Sequence, residues 1–183
     1  MQANKKQQGV EEILKKPLKE SYNILLKDQK LRYMDMKAVG VHIHNLMKND
    51  FESGSPPSKK KLLRLAQEIA DLNNSLPVEP TYAIFQRVDK KRVDMMKFLV
   101  IGVEGTPYAH GAFEFDFFFP NHYPQGPPKV QLKTTGGGKM WFNPNMYACG
   151  KVCLSILGTH PVNSEAERWN PKISTALQVL LSV

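Results

Sequence analysis

Four short runs rich in aliphatic and aromatic residues follow one another through the middle of the chain. The segments between them are too short to hold the crossover helices that parallel strands require. We therefore expect the runs to pair as an antiparallel meander. The predicted strands span residues 82–88, 98–103, 113–119 and 129–134.

The third run alternates strictly. Phe113, Phe115, Phe117 and Phe119 share one face, while Glu114, Asp116 and Phe118 share the other. An aromatic ladder can stack nucleic-acid bases, but phenylalanines flanked by acidic residues are typical of a core face. We predict that the phenylalanine face is buried and that the opposite face is mostly in contact with solvent.

Helical spacing flanks the predicted strands on both sides. The first fifty residues are polar and helical in pattern, with Pro17 either interrupting a helix or beginning a second one. Ser58 can cap a helix that starts immediately after it, and Pro171 suits the first turn of a last helix. The apolar stripes of these two helices are Leu62, Leu65, Ala66, Ile69 and Leu72, and Ile173, Ala176, Leu177, Leu180 and Leu181.

Composition locates a boundary and a charge excess. Residues 52–58 concentrate Ser, Gly and Pro, which is typical of a linker. We predict a basic, helical extension and linker over 1–55 and one compact domain over 56–183.

Residues 1–61 carry 13 Lys and Arg against 7 Asp and Glu, so six of the eight excess positive charges lie there. Such an excess is compatible with plain solubility, an acidic protein partner or nucleic acid.

Several classes of site are disfavoured. The glycine run at 136–138 lacks the remaining residues of a phosphate-binding loop. The two cysteines and five histidines do not have zinc-site spacing, and no apolar stretch is long enough to cross a membrane. Two cysteines without an apolar leader are typical of a reducing compartment, so we expect an intracellular protein.

One segment combines turn residues with a cysteine. Residues 142–157 place Asn143, Pro144 and Asn145 in a loop that leads to Cys153. An asparagine amide can hold a turn or donate a hydrogen bond to an oxyanion. From the residues alone, Cys153 is either a small buried hydrophobic side chain or a nucleophile.

Five motifs in a fixed order resemble the ubiquitin-conjugating enzyme family. They are Tyr123-Pro124, Pro127-Pro128 with the run to Leu132, Asn143-Pro144-Asn145, Gly150-Lys-Val-Cys153-Leu and Trp169-Asn-Pro171. The resemblance extends from about Ser58 to Val183 and is strongest to the large conjugating enzymes of the giant inhibitor-of-apoptosis type. It implies an α+β fold in which an N-terminal helix precedes the four-stranded antiparallel meander, an active-site loop and a C-terminal helix.

The resemblance also implies roles for particular residues. Cys153 matches the family's catalytic cysteine, which accepts ubiquitin as a thioester, and Cys149 does not. Asn145 matches the asparagine that stabilises the oxyanion or the loop. Asn143, where the family usually has histidine, Pro144 and Ser155 would support the active-site loop.

The basic start of the second predicted helix has two interpretations. Lys59, Lys60, Lys61 and Arg64 form either a solvated helix end or, by the resemblance, a surface that docks on the activating enzyme. Gln125 stands where the family often has an aromatic residue that enters ligase grooves, which weakens the case for an ordinary RING-type ligase.

The expected function is that of an acyltransferase with a cysteine thioester. Its partners would be ubiquitin, the activating enzyme, a ubiquitin ligase and protein substrates, with no nucleic acid or membrane. We expect no metal and no bound nucleotide, since the activating enzyme uses the ATP, and a location in the cytoplasm or nucleus. The family's last helices are missing after Val183, so a conjugating-like scaffold without transfer is the alternative. A nucleic-acid-binding protein is a third interpretation.

Overall fold

A computed structural model describes residue 13 and residues 16–36, 57–142, 144–161 and 164–183. Within these residues the chain forms a mixed α+β fold built on one sheet, as predicted. Of the residues on which the sequence-based predictions rest, Asn143, most of the linker at 52–58 and much of the predicted extension at 1–55 lie outside this description.

Three α-helices are described. Helix α1, Leu18–Leu26, starts directly after Pro17, so this proline begins a helix. Helix α2, Lys59–Ser75, starts as predicted, because the Ser58 hydroxyl accepts a hydrogen bond from the Lys61 amide at 3.2 Å. Helix α3, Ala176–Leu181, begins with a capping box. Short 3₁₀ turns occupy Lys27–Gln29, Ser155–Leu157 and Glu165–Glu167.

The sheet has six strands in the spatial order β1-β3-β4-β5-β6, with β2 also paired to β3. Strands β3 to β6 form the predicted antiparallel meander. The bounds are Leu31–Met34 for β1, Val78–Glu79 for β2, Tyr82–Asp89 for β3, Met95–Ile101 for β4, Ala112–Phe118 for β5 and Lys129–Leu132 for β6.

Strand β1 differs from the helical prediction for the first fifty residues. It lies parallel to β3, with Leu31 opposite Gln86 and Met34 opposite Asp89. The contact continues past the strand, since the Met36 amide donates to the buried Asp89 carboxylate at 3.0 Å. Part of the region upstream of residue 55 is therefore hydrogen-bonded into the sheet.

The core lies between helix α2 and one face of the sheet. Phe115, Phe117 and Phe119 are buried there, as predicted, whereas Phe113 is only partly buried. Each fully buried phenylalanine stabilises the fold by about 1.5–3 kcal/mol. The helix contributes Leu65, Ile69 and Leu72 to the same core, which also contains Val130, Leu132, Val152, Ala176, Val179 and Leu180.

The opposite face of β5 is less exposed than predicted. Asp116 and Phe118 are both buried, while Glu114 is partly exposed. The Lys97 ammonium pairs with Glu114 and Asp116, while Phe118 packs beside Met95 and under the Lys61 ammonium. Burial raises the pKa of Asp116, although Lys97 opposes the shift.

The last helix is shorter than predicted. Pro171 lies in the turn before it, and Ile173, predicted on its apolar stripe, is 69% exposed. The helix does not begin earlier because Thr175 has extended backbone geometry. Its hydroxyl accepts a hydrogen bond from the Gln178 amide and so caps the start of the helix. Among the described helices, no segment has the length and apolar character of a membrane span.

Candidate active site

The loop between β6 and the cysteine folds back on itself. Phe142 and Met146 exchange two backbone hydrogen bonds, at 3.0 and 3.1 Å. Met146 then bridges Val152 in antiparallel fashion. Met146 is thereby placed beside the segment that leads to Cys153.

Cys153 is joined to Asn145 through the backbone. The Cys153 amide donates to the Asn145 carbonyl oxygen at 2.8 Å, directly after the bridge at Val152. The Cys153 side chain is buried at 6% exposure, whereas Cys149 is exposed and also has a free thiol. The two cysteines therefore differ in environment, and only Cys153 adjoins Asn145.

The remaining predicted loop residues have different surroundings. The Asn145 side chain is half-buried, and among the described residues its amide has no hydrogen-bond partner. Pro144 is exposed at the loop tip. Ser155 begins the 3₁₀ turn after the cysteine and lines a cleft of about 370 Å³.

Gly150 permits the approach to the cysteine. Its φ of 85° lies in the left-handed region that favours glycine. A β-carbon there would stand 2.5 Å from the Leu132 carbonyl oxygen. The close approach lets the Leu132 amide donate to the Gly150 carbonyl, which fixes the cysteine loop to strand β6.

Two residues beside the thiol were missed by sequence reasoning. The Cys153 thiol donates to the Thr159 carbonyl at 2.9 Å and lies 3.4 Å from His160 Nδ1. A turn with Gly158 in left-handed geometry brings His160 back to the cysteine. A histidine seven residues downstream gives no periodic signal. Gly158, a turn-prone residue between Cys153 and His160, was a sequence signal from which the contact could have been predicted.

A buried carboxylate on helix α2 connects that helix to Tyr123 and to helix α3. Glu68 on α2 accepts from the Tyr123 hydroxyl and from Arg64, and also from the Ala176 amide at the start of α3. Burial, and next the Glu68 charge, raise the pKa of Tyr123, so the hydroxyl remains a donor. Trp169 extends these connections, because its indole donates to the Pro124 carbonyl at 2.8 Å.

The four cations at the start of α2 do not form one exposed surface. Lys59 and Lys60 are exposed. Lys61 is fully buried, with its ammonium 2.8 Å from Asp94, so the prediction that it belongs to a docking surface is wrong. Arg64 is half-buried and donates to Glu68 and to the Ser174 carbonyl.

In the buried pair of Lys61 and Asp94, the neighbouring groups determine whether the Asp94 carboxylate is ionised. Burial alone would raise the pKa of Asp94, but hydrogen bonds from Arg92 and Lys61 outweigh it and hold the pKa below its usual value. The carboxylate is therefore ionised, which compensates the buried ammonium. Within the described part of the chain, no group of three or more His, Cys, Asp or Glu residues could hold a metal ion.

Comparisons with known proteins point to one family. The model of the family described as ubiquitin-conjugating enzyme matches residues 64–183. The human dual E2 ubiquitin-conjugating enzyme/E3 ubiquitin-protein ligase BIRC6 is 48% identical over 145 residues, which are 79% of this chain and 3% of that protein. The probable ubiquitin-conjugating enzyme protein 17 of Caenorhabditis elegans is 48% identical over 129 residues, which are 70% of this chain and 17% of that protein.

A solved structure gives the same result at the level of the fold. Human ubiquitin-conjugating enzyme E2 G1 superposes with a TM-score of 0.54 at 32% identity, over 70% of this chain and 93% of that one. By contrast, the chain spans only a small part of BIRC6 and of the Caenorhabditis elegans protein.

Proposed function

Because the chain belongs to the ubiquitin-conjugating enzyme family, we propose that Cys153 accepts ubiquitin as a thioester from the activating enzyme and passes it to a lysine amine. The observation that carries the proposal is the position of Cys153 within the matched region. Its backbone amide donates a hydrogen bond to the Asn145 carbonyl, and its side chain is buried.

The proposed reaction has two acyl transfers. In the first, the Cys153 sulfur attacks the thioester carbon at the ubiquitin C-terminus, and the activating enzyme's thiol leaves. In the second, a lysine nitrogen attacks the same carbon, the Cys153 sulfur leaves, and the amine loses a proton. Each transfer passes through an oxyanion. We assign the Asn145 amide to the second, in which the lysine amine attacks; such a donor is worth roughly 2.7–4 kcal/mol in other enzymes.

The proposed partners follow from this reaction. They are ubiquitin, the activating enzyme, a ubiquitin ligase and protein substrates, met in the cytoplasm or nucleus. Lys59 and Lys60 remain the exposed part of the proposed activating-enzyme surface. The chain itself would need no metal or nucleotide, since ATP is consumed before the thioester reaches Cys153.

Two serine variants test the carrier assignment. Incubation with activating enzyme, ATP and ubiquitin should give a reducible band shift on a non-reducing gel for the unaltered chain and for Cys149→Ser. Cys153→Ser should give no reducible band, and any ester it forms should resist thiols.

Equal loss in the two serine variants, or no shift with the unaltered chain, would contradict the proposal. The alternative of a scaffold without transfer has less support, because the chain keeps Cys153 beside Asn145. It would be favoured if ubiquitin bound the chain without any thioester.

A further inference from the structure

An exposed imidazole lies against the buried thiol. His160 Nδ1 is 3.4 Å from Cys153 Sγ, within the range of a hydrogen bond to sulfur. The Cys153 side chain is 6% exposed, while His160 is exposed on its outer side. The imidazole can therefore exchange protons with water on one side and with the sulfur on the other.

The neighbouring threonine holds the histidine in place. The Thr159 hydroxyl accepts from the Leu154 amide at 2.9 Å and donates to the Val152 carbonyl at 2.8 Å. These bonds tie Thr159 to the backbone on both sides of Cys153, since Val152 and Leu154 are its chain neighbours. The Thr159 amide also donates to the Leu154 carbonyl at 3.2 Å. The position of His160 is thus set by contacts that do not involve its own ring.

Among the described residues, the charged side chains that line the clefts beside the pair are mainly cationic, although Arg168 is paired with Glu165 at 3.3 Å. The cleft that His160 lines also contains Arg168, and the adjoining cleft lined by Thr159 contains His122, Lys129 and Lys151 together with Cys149. Neither lining includes a carboxylate. Among these groups, His160 is the titratable one that contacts the Cys153 sulfur.

We propose that His160 is the proton acceptor for the Cys153 thiol during ubiquitin loading. The S–H bond first turns from the Thr159 carbonyl, its acceptor at 2.9 Å, toward Nδ1 at 3.4 Å. Nδ1 then takes the proton as the sulfur forms its bond to the thioester carbon. When the bond from that carbon to the activating enzyme's sulfur breaks, the imidazolium returns the proton to the departing sulfur. One thioester is exchanged for another, with no net change in protons or electrons.

The role of His160 in ubiquitin loading rests on the proposed function. Its effect on the reactivity of the Cys153 thiol does not. A histidine that accepts the thiol proton increases the supply of thiolate, which is the reactive form toward any electrophile. A histidine that only covers the thiol would instead slow every reaction at the sulfur. The two roles therefore have opposite consequences when the imidazole is removed.

The test measures alkylation of Cys153 by iodoacetamide in the Cys149→Ser chain, between about pH 6 and pH 9. His160→Asn should lower the rate roughly tenfold near neutral pH and converge with the parent at the alkaline end. Added imidazole should partly restore the rate of His160→Ala. The matched control is His110→Asn, an exposed histidine in the loop between β4 and β5, which should leave the profile unchanged.

An unchanged or faster rate in both His160 variants near neutral pH would overturn the proposal and identify the ring as a cover. Ubiquitin loading is measured in parallel and should fall by a similar factor. If alkylation behaves as expected but the parent chain never loads ubiquitin, the proposed function fails while the proton-acceptor role stands. If the parent loads ubiquitin but alkylation is unaffected by His160→Asn, only the role of His160 fails.

Discussion

Asn145 supplies two separate groups to the active-site loop. Its backbone carbonyl accepts the Cys153 amide at 2.8 Å, which fixes the distance between the two segments. Its side-chain amide has no partner among the described residues. A change at the side chain therefore tests the chemistry of the loop without removing the contact that shapes it.

Asn145→Ala should slow transfer from Cys153 to free lysine by about a hundredfold, because the oxyanion loses a donor. Loading of Cys153 should change much less, because the backbone contact remains and a thiolate is a better nucleophile toward a thioester than an amine. Single-turnover discharge of the preformed thioester measures the first effect, and the initial loading rate measures the second. Asn73→Ala, at an exposed position on α2, is the matched control.

Equal slowing of loading and discharge by Asn145→Ala would contradict an oxyanion role. It would show instead that the loop had lost its shape.

Individual site residues differ in how far the sequence could predict them. Cys153 and Asn145 lie in a motif whose order along the chain carries information, and the structure brings them together. His160 could not be assigned in this way, because its contact depends on the φ of 65° at Gly158 and on the Thr159 bonds. Such a contact arises from a turn and has no period.

At the scale of elements, helix α2 shows why a run of lysines is misleading. Lys61 stands four residues before Leu65 and eleven before Leu72, so the helical period places it on the buried face. Its charge suggested exposure, but the Asp94 carboxylate compensates it inside the protein. Periodicity, applied to every residue irrespective of polarity, would have separated Lys61 from Lys59 and Lys60.

Lys61→Met should lower the free energy of unfolding by about 3–5 kcal/mol, because it leaves the buried Asp94 without one of its partners. The double variant Lys61→Met with Asp94→Leu should recover most of that loss, since apolar residues can replace a buried ion pair. Urea denaturation of both variants measures the difference. Lys60→Met, at an exposed position on the same turn, should change stability little.

A double variant no more stable than Lys61→Met alone would show that the coupling between Lys61 and Asp94 is weak. In that case Arg92, which is also bonded to Asp94, would be the partner that matters.

At the scale of the whole molecule, the meander was predictable and its outer strand was not. Strands β3 to β6 have alternating patterns and short connections, and the observed bounds differ from the predicted ones by a few residues. Strand β1 has four residues, and its partner lies more than fifty positions further along the chain. Parallel pairing over that separation leaves no local pattern, and Pro17 and the preceding helical spacing favoured a helix.

The charge distribution of the whole chain gives a further prediction. The double variant Lys59→Glu with Lys60→Glu should slow loading of Cys153 by about tenfold at low salt and much less at high salt, because exposed charges are screened. Initial loading rates across a salt titration measure this effect. Lys27→Glu with Lys139→Glu changes the net charge equally at other exposed positions and serves as control.

The same slowing in the Lys27 and Lys139 variant would assign the effect to net charge. It would remove the proposed activating-enzyme surface at the start of α2.

The pairing of β1 with β3 also has a consequence for solubility. With β1 in place, residues 86–88 of β3 have strand neighbours on both sides. A shortened chain that began at the Ser58 cap would keep the family motifs but turn this stretch into an open edge. Open edges are templates for intermolecular strand addition. The upstream strand thus acts as a built-in guard against aggregation, a role that the family motifs themselves do not reveal.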